Sequence, residues 1–375
     1  MNARERYLAT LTFQQPDRIP FEPGHGREST RKRWHAEGLP ADRNPVDYVR
    51  EVLGIDPVDP VERPLGLGAD FRLIPQFEEQ VLEHRNGHYV VQDWKGNVCE
   101  ISDQFDVTYL RTASDFVTRR WIKCPVETHA DWEAIKPRYD LDAPGRFPAD
   151  FAERCRRAQD RQGVLRVGFS GPFWQLREWC GFEGLCMLML DDPEFVAEMA
   201  AFWKNFVSQM LARILDRVVP DVIGINEDMA YKGKSMISMD MVRRFCLPSW
   251  TDWVNQVQAA GCPLVDLDSD GYVGELIPLW IEAGVNVCDP IEVAAGCDLP
   301  TFRAQFGHKM AYTMGVDKRC IAAGGQALRD ELSRLEPVIR DGGYIPGCDH
   351  GVPHDVSWAD FLEYSRQLAE LTGWL

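Results

Sequence analysis

The sequence predicts an α/β fold built on a parallel β-sheet, and two observations predict it. From Gly163 onward, apolar runs of strand length recur at Val164–Ser170, Val222–Asn226, Leu264–Leu267, Val285–Cys288, Met310–Met314 and Tyr344–Ile345. Between or after them lie apolar residues at helical spacing: Phe195, Met199, Phe202, Phe206 and Met210; Trp250, Trp253, Val254 and Val257; and Trp358, Phe361, Leu362 and Leu368. Strands that alternate with helices form a parallel sheet. An N-terminal run at Ile19–Glu22 brings the strands to seven, close to the eight of a closed (β/α)8 TIM barrel. An open doubly wound sheet is the competing arrangement, although no Gly-x-Gly-x-x-Gly follows the first strand and no phosphate-binding loop is present.

Taken in order, Ala3–Phe13 places Tyr7, Leu8 and Leu11 on one side of a short helix. Ile19–Glu22 reads as the first strand, and Glu22, His25 and Arg27 lie in or beside the glycine-rich loop after it. Asn44–Leu53 is a helix with Asn44 or Asp47 near its start. From about residue 70 to 127 the character changes to alternating β-branched and aromatic sequence, with a hairpin turn at Lys95-Gly-Asn97. This is an antiparallel insertion, in which Arg111–Arg120, Trp94 and Trp121 are placed to cover a pocket. No Pro/Gly/Ser-rich linker sets it apart, so residues 1–375 read as one domain.

Composition narrows the function classes. The formal charge is −17, which argues against nucleic acid and anionic membranes as partners and against a highly anionic substrate. The eleven cysteines include no Cys-x-x-Cys pair, so they do not form a secreted disulfide framework; Cys155, Cys186 and Cys246 read as small core residues. The start Met1-Asn-Ala-Arg-Glu-Arg-Tyr has charges where a signal peptide needs apolar residues, and no run approaches the roughly 20 apolar residues of a membrane span. The expectation is a cytoplasmic protein.

The chemistry centres on Cys262-Pro-Leu-Val-Asp-Leu-Asp-Ser-Asp-Gly271, where an apolar run ends in acids at alternate positions. A strand leaving the core would present Asp266, Asp268 and Asp270 on one side, and carboxylates this close repel unless a metal, a proton or a cation lies among them. The alternative is that Asp268 or Asp270 merely caps the next helix. In a barrel, residues just past each strand meet on one face. They are Glu22 and His25; Ser170 and Trp174; Glu227 and Asp228; Asp268 and Asp270; Asp289 and Glu292; Asp317 and Lys318; and Cys348, Asp349 and His350. Each also has a structural reading: Asp289-Pro290 as a turn opener, Glu292 as the partner of an arginine, His25 as a turn residue and Cys348 as a packed thiol. His350 is the better ligand or acid/base, since imidazole titrates near neutral pH.

Seven segments together resemble the uroporphyrinogen decarboxylase superfamily. They are Asp17-Arg-Ile-Pro20, Val167-Gly-Phe-Ser-Gly-Pro172, Asn226-Glu-Asp-Met-Ala-Tyr-Lys232, Val265–Gly271, Pro290-Ile-Glu-Val-Ala-Ala-Gly-Cys-Asp298, Gly315-Val-Asp-Lys318 and Gly342–Gly351. The resemblance implies a (β/α)8 barrel. True uroporphyrinogen decarboxylases grip substrate carboxylates with Arg-Gln-Ala-Gly-Arg in the first loop; here the segment is Gly24-His-Gly-Arg-Glu-Ser29, and both arginines are missing in register. The corrinoid-dependent methyltransferase branch binds zinc through His-x-Cys and a late Cys. Asp268-x-Asp270 and His350 fall near those positions with different ligand types, so the resemblance implies a harder metal site.

The implied function is a zinc-dependent methyltransferase that demethylates a methoxylated, aromatic small molecule and passes the methyl to a corrinoid protein. Asp268, Asp270 and His350 would ligate zinc, with Glu227 as a fourth candidate, while Asp228, His25 and Lys318 would orient the substrate or handle its proton. The corrinoid would be carried by the partner protein, and a homodimer is left open. The competing readings are a metal-free decarboxylase of a tetrapyrrole or aromatic acid and a non-catalytic corrinoid- or tetrapyrrole-binding barrel.

Overall fold

The computed structural model describes residues 1–107, 109–112 and 117–375. Its centre is a six-stranded parallel sheet of β5 (Arg166–Ser170), β6 (Val222–Asn226), β9 (Leu264–Asp268), β10 (Val287–Asp289), β11 (Ala311–Thr313) and β12 (Tyr344–Ile345), in that spatial order. A separate antiparallel sheet, β1 (Gln80–Arg85), β2 (His88–Gln92), β3 (Val98–Ser102) and β4 (Arg119–Lys123), is the expected insertion. Its β2–β3 turn lies at Lys95-Gly-Asn97, where Gly96 N donates to Asp93 O at 3.0 Å. A two-residue hairpin, β7 (Ala230–Tyr231) and β8 (Lys234–Ser235), follows β6.

Each parallel strand sorts its residues by alternation. Val167, Phe169, Ile223, Ile225, Val265, Leu267, Cys288, Tyr312 and Tyr344 join the main core. That core includes apolar residues of the long helix Pro193–Leu215, the helix Leu247–Ala259 and the helix Trp358–Thr372. The other face begins, at the amino ends, with Val222, Leu264, Val287, Ala311 and Ile345, which cluster with Leu11 of the first helix, Ala3–Leu11. Because β6 and β12 both contribute to this one cluster, the sheet is curved with that helix under its amino ends. On the same face Arg166 is level with Val222, and higher stand Gly168 and Ser170, Gly224 and Asn226, Asp266 and Asp268, Asp289, and Thr313.

The expected first strand at Ile19–Glu22 is not a strand. Ile19 N donates to Thr372 O at 3.1 Å and Ile19 O accepts the Trp374 indole N–H at 2.7 Å, so its backbone is committed to the C-terminal helix end; Pro20 and Pro23 have no N–H to give a ladder. Pairing begins further along, in a parallel bridge of Gly26 with Val352. Another parallel bridge joins Leu65 to Leu165 beside β5. Among the described residues no backbone pairing joins these two outer segments, and the pairings define a six-stranded sheet with one bridge at each edge.

Two buried charges hold connecting segments. Asp221, which is 1 % exposed, accepts Arg161 Nε at 2.7 Å, Arg4 Nε at 2.8 Å and Leu165 N at 2.8 Å, tying the first helix and the entry to β5 to the start of β6. Arg146 donates to the carbonyls of Asp70, Asp140 and Arg138 and so fixes the chain at the base of the insertion. All eleven cysteines are free; Cys155 and Cys246 are buried and Cys186 is half-buried. Among the described residues no helix is long and apolar enough to cross a membrane. Asp221→Ala leaves the Arg161 guanidinium buried without its carboxylate, and a loss of about 3–5 kcal/mol of unfolding free energy is expected by chemical denaturation. A change under about 1 kcal/mol would mean that the bridge is not needed for stability.

Candidate active site at the carboxyl ends of the sheet

The concave face carries one cation among several acids. Arg166 NH2 lies 2.5 Å from Asp266 Oδ2, although the approach is too oblique for an aligned hydrogen bond. The Arg166 side chain is 40 % exposed, yet its ionisable neighbours are Asp266, Tyr7 and Asp289, so that exposure opens onto a hollow within the curved sheet. Gly224 makes the room, since a Cβ there would come within 2.6 Å of Arg166. Burial alone would lower the guanidinium pKa, but Asp266 first, then Tyr7 and Asp289, outweigh it and raise it.

One guanidinium can hold one carboxylate ionised, and Asp266 is the one in contact; burial raises its pKa, with Arg166 opposing. The next acids keep their protons. Burial and then Asp266 push Asp289 up to about 7, even though Thr313 Oγ1 donates to its Oδ1 at 2.5 Å. Burial, then Asp289, Asp266 and Asp270, push Asp268 up to about 8. Asp268 and Asp289 are register partners on adjacent strands, so the two proton-bearing carboxyls stand side by side.

Above them Asp270 and His350 meet, as the sequence reading brings them together. His350 Nε2 is 3.2 Å from Asp270 Oδ2, and Arg27 NH2 is 3.1 Å from His350 Nδ1. A guanidinium can only donate, so Nδ1 accepts and the proton sits on Nε2 facing Asp270. The hydrogen bond to Asp270 raises the imidazole pKa, opposed by burial and by Arg27.

The remaining candidates are placed elsewhere. Glu227 is fully buried and faces the helix Pro172–Cys180: its Oε2 accepts Trp174 N at 3.0 Å and its Oε1 accepts the Trp250 indole N–H at 2.6 Å. Burial pushes it up to about 8 against those donors. Gly171 is required beside it, because the carboxylate occupies the space a Cβ would take. Asp228, in a left-handed backbone conformation at φ 40°, accepts Arg177 NH2 at 2.9 Å. Lys318 Nζ lies 3.1 Å from Glu292 and 3.5 Å from Asp349. Burial alone would lower this ammonium; Asp349 and Glu292 raise it. Glu292 also accepts Gly271 N at 3.0 Å, and Asp349 accepts Val293 N at 3.0 Å, so these three residues lace together the loops after four strands. His25 is exposed at the rim.

Asp268, Asp270 and His350 do not converge as a metal site. Among the described residues no three His, Cys, Asp or Glu side chains are arranged to hold a metal ion. Only Asp270 and His350 are in contact, and the strongest charged neighbour of Asp268 is Asp289. The zinc expectation therefore does not fit the residues present. Arg166 and Arg27, which complete the two acid clusters, were missed as partners; the visible signal was an arginine inside the apolar run Val164–Ser170.

Two strands from Asp268, at the β5 edge of the sheet, lies a groove with a cavity of about 420 Å³, lined by Phe71, Arg72, Ser170, Gln175 and Trp203. It adjoins a smaller cavity of about 140 Å³ walled by Trp94, Lys95, Tyr139 and Trp174, with Arg72, Ser170 and Gln175 common to both. Trp94 and Lys95 thus bring the insertion over a pocket, as expected. Trp121 lines a different groove on the outside, and residues 113–116 of the expected Arg111–Arg120 cover lie outside the described residues.

No family model matches the chain. A curated uroporphyrinogen decarboxylase from Pseudomonas aeruginosa (strain LESB58) is 22 % identical over 271 residues, covering 66 % of this chain and 70 % of that protein. A solved structure of a methyltransferase from Methanosarcina mazei aligns over 98 % of both chains with a TM-score of 0.53 and 14 % identity, which is a likeness of fold. A B12-independent methionine synthase from Shewanella sp. W3-18-1 overlaps 59 % of this chain and 66 % of its own at 11 % identity, with a TM-score of 0.39 that is too low to indicate a shared fold. The proteins this chain resembles are enzymes. Its resemblance is to the uroporphyrinogen decarboxylase superfamily, with a methyltransferase among its structural likenesses.

The proton-bearing carboxyls have a measurable consequence. Unfolded, Asp268 and Asp289 release their protons near a pH of about 4, whereas folded they hold them to about 8 and about 7. Over that window the folded state binds more protons, so stability falls as pH rises through it. Asp289→Asn keeps the acceptor for Thr313 without the ionisation, and a flatter dependence of Tm on pH than in wild type is expected. A wild-type Tm constant from about pH 5 to 8 would show that these carboxyls ionise normally.

Proposed function

We propose that this protein is a methyltransferase that demethylates a methoxylated aromatic small molecule and passes the methyl group to a corrinoid carried by a partner protein, with a carboxylic acid in place of zinc. The reading takes residues 1–375 as one domain whose sheet closes as a (β/α)8 barrel through the Gly26 and Leu65 segments. The observation that carries it is the Asp268 carboxyl, held protonated at neutral pH at the carboxyl end of β9.

Breaking an aryl methyl ether places negative charge on the departing oxygen, which a neighbouring acid must quench. In this reading the substrate lies in the groove between Ser170 and the Trp94 and Trp174 walls. Ser170, Asn226 and Asp268 are successive register partners, so the groove is two strand spacings, about 10 Å, from the acid. The aromatic ring spans that distance, so its methoxy oxygen comes within hydrogen-bond reach of Asp268, which gives its proton to that oxygen as the methyl carbon–oxygen bond breaks, leaving a neutral phenol and a carboxylate. The corrinoid, when its protein is docked, supplies the electron pair that takes up the methyl group. His350 and Asp270, at the mouth above, return a proton to Asp268. Lys318 and Glu227 act as positioning residues, holding the loops that carry the acids. An acid-rich hollow suits a neutral ether better than a polycarboxylate, which favours this reading over decarboxylation.

The test is a panel of methoxylated aromatics with chemically reduced cobalamin as acceptor, following phenol release. Phenol formation is expected, with kcat/KM level at low pH and falling above about pH 8 as Asp268 loses its proton. Asp268→Asn is expected to lower kcat by about 10²–10⁴-fold. No phenol from any ether, together with carbon dioxide released from an aromatic or tetrapyrrole acid, would overturn methyl transfer.

A further inference from the structure

A cavity of about 320 Å³ lies at the other end of the molecule, where Tyr7 and Val164 pack on the cluster that seals the strands' amino ends. Its lining includes Arg18, Arg50 and Trp374. Three guanidinium groups gather on that one indole: Arg18 at 3.9 Å from the ring centre, Arg50 at 4.6 Å and Arg6 at 5.5 Å. Arg6 is neutralised by Asp17, through bonds of 2.7 and 2.9 Å. The other two are not. Arg50 is only 5 % exposed and spends its Nε on the Asp56 carbonyl at 2.8 Å, while among the described residues no carboxylate lies within ion-pair distance of Arg50 or Arg18. Burial first, and Arg18 second, depress the Arg50 pKa.

Two like charges side by side over one ring, in a protein of net charge −17, are unfavourable unless an anion is shared between them. A buried guanidinium with free N–H groups is also a bidentate oxyanion donor. The rest of the wall selects the ligand's body. Pro20, Phe21, Pro57, Val58, Pro64 and Val164 are apolar, and the acids Glu22, Asp56, Asp59 and Glu62 would repel a second anionic group.

We propose that this cavity is a binding site for a small monocarboxylate with an apolar body, its carboxylate held between Arg18 and Arg50. The cavity adjoins the floor of the concave face through Tyr7 and Glu22, which face Arg166, but its wall contains none of Asp268, Asp270 and His350, and the proposal does not depend on the reaction performed there. The probe is 4-fluorobenzoate, followed by fluorine NMR on the full chain, with inorganic phosphate as the competing oxyanion. Saturable binding is expected in wild type and in His350→Gln, which alters only the opposite end. Arg18→Gln and Arg50→Gln are each expected to weaken it by about tenfold or more, the loss of one charge-assisted contact. Among the described residues the Arg18 guanidinium makes no hydrogen bond and only stacks on Trp374, so Arg18→Gln is expected to shift Tm by no more than about a few degrees and separates lost binding from lost folding. The proposal is overturned by no saturation up to about 10 mM, by binding that survives both arginine variants, or by phosphate displacing the probe at equal concentration.

Discussion

One cation, Arg166, sets the electrostatics of the concave face. Arg166 stands where Asp266, Asp268, Asp289 and Glu22 all sense it or one another, and a single positive charge can balance only one of them. In a poorly solvated interior the others are cheaper as neutral acids than as anions. The pairing with Asp266 therefore decides the state of its neighbours: by occupying the guanidinium, Asp266 leaves Asp289 and Asp268 to keep protons. The small residues Gly168 and Gly224 at the same level keep that region open instead of filled.

The acids beyond the strand ends divide by what faces them. Glu227, Glu292, Asp317 and Asp349 accept backbone N–H groups, of Trp174, Gly271, Arg319 and Val293 respectively, and so anchor loops and helix starts. A carboxylate occupied in this way is a poor candidate for proton transfer, because its lone pairs are already used. Among the described residues Asp268 and Asp270 accept no such backbone donor; one faces Asp289 and the other His350. The bracing by Lys318, Glu292 and Asp349 then has a purpose in the reading above: it fixes the loops that present Asp270 and His350 to each other.

Much of this was legible in the residues. The six strands of the parallel sheet lie on the six apolar runs after Gly163, to within one or two residues at most ends, because a strand covered on one face by helices must be apolar there. The hairpin at Lys95-Gly-Asn97, the Asn44 cap and the buried cysteines follow from similarly local rules. Ile19–Glu22 failed because its apolar pattern is real but its backbone partners are the C-terminal helix end, 350 residues away in the chain.

The sequence by itself determined which acids would gather at the strand ends, since parallel strands must all open on one side. It could not determine their jobs. Whether Glu227 faces the hollow or caps a helix, and whether Asp268 meets His350 or Asp289, depends on strand register and on side-chain direction past the last paired residue. The tertiary structure decided both, by placing Asp289 one strand from Asp268, His350 beside Asp270, and a single guanidinium beneath them. The physical reason is that a carboxyl's charge is set by what lies within a few ångströms of it, and those neighbours come from segments tens of residues apart in the chain.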